Sequence, residues 1–387
     1  MKIVLKFFIE VSLIPFLIVL AIWSRFKSKK IKIGLGPDPL INNFYHKKAL
    51  ELCNYSSETF VKNSFHITDE FDIDVSRKFN LNNPISRGAA YLYLIFISFR
   101  YKVLYINFNG GVIGLRSIFL WKIEPLILKL AKIKTVILPY GSDVQDMSRS
   151  DNLIFKDTIA NDYPDQKIFR KTVTRKIDLW TKYADHIIGG CEWVDYMYHW
   201  DTLMLAHFSI DLNKITKKQK IANKSSSKKL NILHAPNHKN IKGTFFLTQA
   251  IENLKRKGYD IDLLIAEKKS NNEILDLIKK SDIIADQFII GWYAMFAIEA
   301  MANAKPVLCY LRQDLIDLYK YKGLIKDNEI PIINANIFNL EEKILWCYEN
   351  KNKLHRIGEK GYEFVKKHHS INSVASIFDK INKEISL

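Results

Sequence analysis

The segment NILHAPNHKNIKGT, residues 231–244, ends an apolar run with two lysines, a glycine and a threonine. In parallel α/β sheets, anionic ligands gather at the carboxyl ends of strands. Lys239 and Lys242 supply charge for phosphate oxygens, and Gly243 permits close backbone approach. Thr244 is placed to cap a following helix whose first amides point to the same spot. A solvated basic loop accounts for the same residues. A second constellation lies in DQFIIGWYAMFAIEAMANAKPVL, residues 286–308. There Glu299 falls about two turns into a helix starting near Gly291, where a carboxylate can accept two hydroxyl bonds; a glutamate at a packing edge is the plainer reading. Asp286 and Gln287 close an apolar strand and are placed to face a cleft. In PYGSDV, residues 139–144, Asp143 can orient or deprotonate a hydroxyl, or bond its own turn, and Tyr140 and Ser142 flank it. His234 and His238 border the lysine loop without metal-ligand spacing, and His368 and His369 read as a surface helix terminus.

These residues need a scaffold, and the rest of the chain supplies an α/β pattern. With 387 residues the chain favours two domains. KIGLG, KVLYINFNGG, KTVILPYGSD and ADHIIGGC read as four strands, with a helix over 44–52. Residues 213–229 are polar, basic and poor in large apolar groups, as a linker is. A second series follows in LNILHAP, IDLLIAE, SDIIADQFII and KPVLCYL, with a helix over 244–257. The division is an amino-terminal α/β domain over 31–215, a linker over 216–229 and a carboxyl-terminal α/β domain over 230–387 whose last helix can cross back. The net charge of +17 calls for an anionic partner. Cys53, Cys191, Cys309 and Cys347 are widely spaced and read as reduced thiols.

Residues 1–30 form an apolar segment with a basic border. Its unbroken stretch runs from Leu13 to Trp23 after Lys6, Glu10 and Ser12, and Arg25, Lys27, Lys29, Lys30 and Lys32 follow. A helix from Phe7 to Trp23 reaches roughly 25 Å, slightly short of a ~30 Å hydrocarbon core. The basic cluster after the run is the reverse of signal-peptide order. It predicts a membrane-associated protein with cytoplasmic domains, the helix either spanning or lying in the interface; a buried amphipathic helix is the plainer alternative.

The segment 286–308 resembles the donor site of nucleotide-sugar glycosyltransferases with the GT-B fold, in particular retaining glycosyltransferase family 4. The resemblance rests on Glu299-Ala300-Met301-Ala302 and Lys305-Pro306-Val307. That family carries another glutamate eight positions earlier, where this chain has Gly291. HAPNHKNIKGT resembles the family's diphosphate loop, PYGSDV its His-Gly-Ser-Asp stretch with Tyr140 in the histidine position, and GLGPDP its first glycine turn. HFSIDLNKI, residues 207–215, resembles the segment before the interdomain crossover. The resemblance implies two Rossmann-like domains facing a cleft, with donor contacts at Gly34, Gly36, Lys239, Lys242, Gly243, Gly291 and Glu299. Glu299 would hold the ribose, Tyr140, Ser142 and Asp143 the acceptor, and Lys239, Lys242 and Asp143 would serve catalysis.

The chemistry fits: cleaving a sugar–phosphate bond builds negative charge on the leaving diphosphate, which fixed cations and amides stabilise. The expected activity is retaining sugar transfer from a nucleotide diphosphate sugar to a lipid-linked or polysaccharide acceptor in surface glycan assembly. The partners are donor, acceptor and an anionic membrane surface, with no cofactor and no required metal. An inactive GT-B-like nucleotide- or lipid-binding protein is the alternative, supported by Gly291. A dinucleotide oxidoreductase lacks the full GxGxxG spacing, and nucleic-acid binding lacks a module pattern.

Overall fold

The computed structural model describes residues 2–27, 29, 32–64, 70–115, 117–215 and 229–387. All but the last residue of the expected linker 216–229 lie outside them.

Two parallel sheets organise the chain. The first comprises β1 (Ile33–Leu35), β2 (Ser57–Val61), β3 (Ile73–Asp74), β4 (Val103–Ile106), β5 (Lys134–Ile137), β6 (His186–Gly189) and β7 (Thr202–Leu203), in the order β3-β2-β1-β4-β5-β6-β7. The second comprises β8 (Leu230–His234), β9 (Ile261–Ile265), β10 (Ile283–Ala285), β11 (Val307–Cys309) and β12 (Ile332–Asn334), in the order β12-β11-β10-β8-β9. The central strands β1, β4, β10 and β11 are buried at every residue, which is why they read as continuous apolar runs rather than alternating ones. Strand order reverses beside β1 and beside β8, so each sheet opens a crevice at its carboxyl edge. The architecture is α/β with two Rossmann-like sheets, the GT-B arrangement. β2, β3, β7 and β12 add to the expected strands. They are short or carry polar residues such as Ser57, Glu58 and Thr59.

The carboxyl-terminal helix Ile371–Glu384 returns to the first sheet and packs on the helix Ile41–Leu52. Tyr55 donates to Asp379 and Tyr105 to Asn382, each at 3.0 Å, and Ile210 exchanges backbone bonds with His369 and Ile371. His369 is fully buried, contrary to the surface placement expected of it. Its Nδ1 donates to the Phe208 carbonyl at 3.1 Å, and its Nε2 accepts from the Tyr293 hydroxyl at 2.8 Å, so it ties the crossover to the second sheet's 286–294 loop. Burial lowers its pKa to about 3 and keeps it neutral for that double role.

The amino-terminal segment forms helices Lys2–Ser12 and Ile14–Phe26 that lie along the first sheet's outer layer. Pro15 falls in the first turn of the second helix, where no donor is lost. Leu17 and Ala21 are fully buried, and Ser24 donates to the Phe99 carbonyl at 3.1 Å.

Candidate active site

The lysine loop folds as a short helical turn, Lys239–Lys242, that ends at Gly243 with φ +77° before the helix Thr244–Arg256 begins. A glycine is required there because the left-handed backbone is costly for other residues. Thr244 does not cap that helix. Its hydroxyl instead bonds His234 Nε2 at 2.8 Å, while His234 Nδ1 donates to the Ala285 carbonyl at 2.8 Å. That pairing fixes the tautomer, and burial, the largest cause, lowers the imidazole's pKa to about 4. His234 thus pins the loop to β10.

The two lysines part ways. Lys239 points to the surface and pairs with Glu267 at 2.8 Å, both half exposed. Lys242 is buried and meets Asp286 at 2.6 Å, and the other Asp286 oxygen accepts the Ala294 amide at 3.3 Å. Ala294 precedes the helix Met295–Ala302. The Asp286 carboxylate therefore sits between an ammonium and the amino end of a helix, the combination that also binds phosphate. Gln287 does not face a cleft: its amide donates to the Trp292 carbonyl.

Glu299 lies in the helix Met295–Ala302, nearly fully buried, and accepts from Asn271 at 2.6 Å. Burial pushes its pKa up to about 7, with Asp286 raising it further and the Asn271 bond opposing. Gly291 has φ +99°, and a Cβ there would fall 2.6 Å from Arg312 Cδ. Arg312 is held at 3.2 Å by Asp195 of the first sheet's side and also pairs with Asp314. A side chain at position 291 would be strained by the backbone and would crowd Arg312, so the glutamate that the resembled family carries there does not suit this turn.

Across the cleft, the carboxyl ends of β1, β4 and β5 carry a polar cluster. Asp143 is fully buried and its oxygens accept from the amides of Phe108 at 3.0 Å, Tyr140 at 2.9 Å and Gly141 at 3.0 Å. Its pKa is pushed up to about 7, chiefly by burial. It binds the loops after β4 and β5 together. Tyr140 is half-buried, its hydroxyl accepting from Asn109 at 3.1 Å, and Ser142 is exposed beside it at 3.4 Å. Asn107 donates to Asp38 at 2.6 Å, and Lys176 reaches Asn109 at 3.4 Å. Asp38, Asn107, Asn109 and Lys176 were not anticipated. Asp38 and both asparagines stand in strand-end turns that the sequence displays, whereas nothing about Lys176 on its helix signals this placement.

Gly34 and Gly36 have packing reasons to be glycine: a Cβ at Gly34 would meet the Tyr101 ring at 2.4 Å, and one at Gly36 the Phe60 carbonyl at 2.1 Å. Gly36 also lines a cavity of about 10 Å³, one water's worth, with Asn42, His46 and His207. Asn42 Oδ1, His46 Nδ1 and His207 Nδ1 have no hydrogen-bond partner among the described residues. Trp292 Nε1 donates to the Leu205 carbonyl at 2.8 Å and Asn152 to the Ile289 carbonyl at 2.7 Å, so the 286–294 loop joins both rims.

No protein-family model matches the chain, and no curated protein matches its sequence. Solved structures do match over almost its whole length. Sucrose-phosphate synthase of Thermosynechococcus elongatus is 12% identical with a TM-score of 0.56, covering 92% of this chain and 99% of that one. HepE of Anabaena, solved in complex with UDP and glucose, is 11% identical with a TM-score of 0.55, covering 91% and 99%. WaaG, a glycosyltransferase involved in lipopolysaccharide biosynthesis, is 10% identical with a TM-score of 0.53, covering 92% and 100%. At such identities the likeness is one of fold, and the chain has the GT-B fold that these proteins share.

Proposed function

We propose that the protein is a membrane-associated glycosyltransferase that moves a sugar from a nucleoside diphosphate sugar to a lipid-linked or glycan acceptor with retention of configuration. The observation that carries this reading is the buried Lys242–Asp286 pair at the head of the helix bearing Glu299, inside a GT-B cleft. HepE, with its bound UDP and glucose, and WaaG, with its role in lipopolysaccharide biosynthesis, support the substrate class.

In this reading the donor diphosphate takes the place of the Asp286 carboxylate against Lys242 and the Ala294 amide, and Glu299 accepts the ribose hydroxyls. The bond from the anomeric carbon to the diphosphate oxygen breaks, and the acceptor oxygen bonds that carbon on the same face. The acceptor's proton passes to the departing phosphate. Lys242 and the helix amides neutralise the leaving charge, so no divalent ion is required. Lys239 belongs to the donor's entry side, Tyr140, Ser142 and Asn109 to the acceptor's, and Asp143 is a positioning residue for that rim.

A second reading is favoured by two features: Asp286 already fills the anion position, and Gly291 carries no carboxylate. That describes a GT-B-like protein that binds a nucleotide or lipid without turnover. Incubating the protein with UDP-, GDP- and ADP-sugars and membrane lipid extract, with and without chelator, separates the two. Transfer with the donor's anomeric configuration kept, by NMR, supports the enzyme. An inverted product contradicts retention, and nucleotide binding without any turnover supports the second reading.

A further inference from the structure

The apolar amino-terminal helices have one buried face and one exposed face, and the buried one is specific. Glu10, itself buried, accepts the backbone amides of Ile118 at 2.8 Å, Phe119 at 2.7 Å and Leu120 at 3.2 Å, at the start of the 3-10 turn Leu120–Lys122. Leu17, Leu20, Ala21 and Ser24 continue that face at helical spacing along the domain's flank. Residues 3–26 are long and apolar enough to cross a bilayer. To do so they would have to leave the flank, stripping three amides of their acceptor and carrying a carboxylate into hydrocarbon.

The exposed face is continued by elements far away in sequence. On the helix Pro84–Ser98, Ile85, Ala89, Leu92 and Phe96 form an outward stripe, and Phe96 stacks on Trp23 with ring centroids 5.8 Å apart. Leu126 adds to it from the helix Glu124–Leu130, which packs on the second amino-terminal helix, and Phe7 meets Phe119 at 5.9 Å. Val19 is 66% exposed and Ile85 85% exposed.

Charge identifies what covers this face. The segments 2–27, 84–102 and 117–134 contain two acids, Glu10 and Glu124, and both are buried. Arg25, Lys27, Arg87, Lys122, Lys129 and Lys132 are all exposed. Lys27 sits 4.4 Å over the Trp23 ring and Lys122 5.8 Å from that of Trp121, so aromatic and basic groups share the rim. An apolar plane bordered by lysines and aromatics, with no exposed acid, matches the headgroup region of an anionic bilayer.

We infer that the protein is monotopic: the amino-terminal helices, the stripe on Pro84–Ser98 and Leu126 form one face that lies in the plane of an anionic membrane, with Glu10 locking the helices to the domain. The same loop that Glu10 caps leads back to the acceptor rim. Glu124, next along the chain, braces its other end through the amides of Gly111 at 3.1 Å and Ile113 at 2.7 Å, adjoining Asn109. A lipid-linked acceptor would thus reach the cleft from the side, along this face. The inference deepens the membrane association proposed above and rests on it.

The test is flotation of the full chain with vesicles of phosphatidylglycerol and phosphatidylethanolamine, or of phosphatidylcholine alone, compared with a Leu92→Asp/Leu126→Asp variant. Both positions lie outside the amino-terminal helices. The inference predicts binding to the anionic vesicles, release by alkaline carbonate, and a loss of about tenfold or more in the variant at an unchanged melting temperature. Equal flotation of variant and wild type, or retention through carbonate, overturns the in-plane arrangement while leaving membrane association standing. A wild type that ignores both vesicles overturns membrane association itself, and a soluble dimer dispersed by the same double substitution assigns the face to a second copy instead.

Discussion

The two rims of the cleft hold their buried charge in different ways. On the first sheet's side, Asp143 spends its carboxylate on three backbone amides and Glu124 on the loop after β4. On the second sheet's side, Lys242 and Asp286 are paired side chain to side chain. A carboxylate bonded to backbone fixes a loop and has little left to offer a ligand. A cation held by one carboxylate can be handed to a stronger anion. In the proposed function, that contrast gives shape to the acceptor rim and phosphate chemistry to the donor rim.

The largest expected effect comes from breaking the side-chain pair. Lys242→Ala leaves the Asp286 charge buried and unpaired, and should cost about 3–5 kcal/mol in denaturant unfolding. Adding Asp286→Asn should restore most of that loss. If Lys242→Ala alone unfolds like the wild type, the pair is not the buried element described.

The acceptor rim should respond to Asp143→Ala with a loss of roughly 2–4 kcal/mol, since three buried amides lose their acceptor. Nucleotide binding by the folded fraction should persist. A variant of native stability with abolished turnover would make Asp143 a catalytic base and blur the contrast between the rims.

The smallest effect is in pH. Glu299 carries a pKa near 7 against 4.5 for an ordinary glutamate, so between those values the folded state binds more protons than the unfolded one. Its contribution to stability therefore falls as pH rises through that window. In the proposed ribose role the ionised form binds, so nucleotide affinity should strengthen by up to about tenfold from pH 6 to 8. Glu299→Gln should flatten both trends. An unaltered pH profile of binding in that variant removes the ribose role.

Much of the second sheet's candidate rim was legible because its residues lie in contiguous segments: the lysine loop follows β8 directly, and Glu299 sits in an uninterrupted helix. The pairing of Lys242 with Asp286 was not, since it joins residues 44 apart and depends on β8 and β10 being neighbours. Gly291 read as a missing glutamate, while its positive φ and the closeness of Arg312 show a turn in which a side chain would be strained and crowded. Asp143 could be read as a turn residue, but the Phe108 amide it accepts comes from the separate turn after β4. Glu10 looked like an interruption of an apolar run, and only the fold brings the amides of residues 118–120 to it. His369 likewise needed the returning final helix to become a buried tie.

The central claim is that Lys242 holds the donor diphosphate. Calorimetric titration of UDP, GDP and ADP into the wild type and into Lys242→Ala/Asp286→Asn tests it, because the double variant should keep its fold while losing the cation. The account predicts that at least one nucleotide binds the wild type and that its affinity falls by about tenfold to a hundredfold in the double variant. Equal affinity in the two proteins would contradict it.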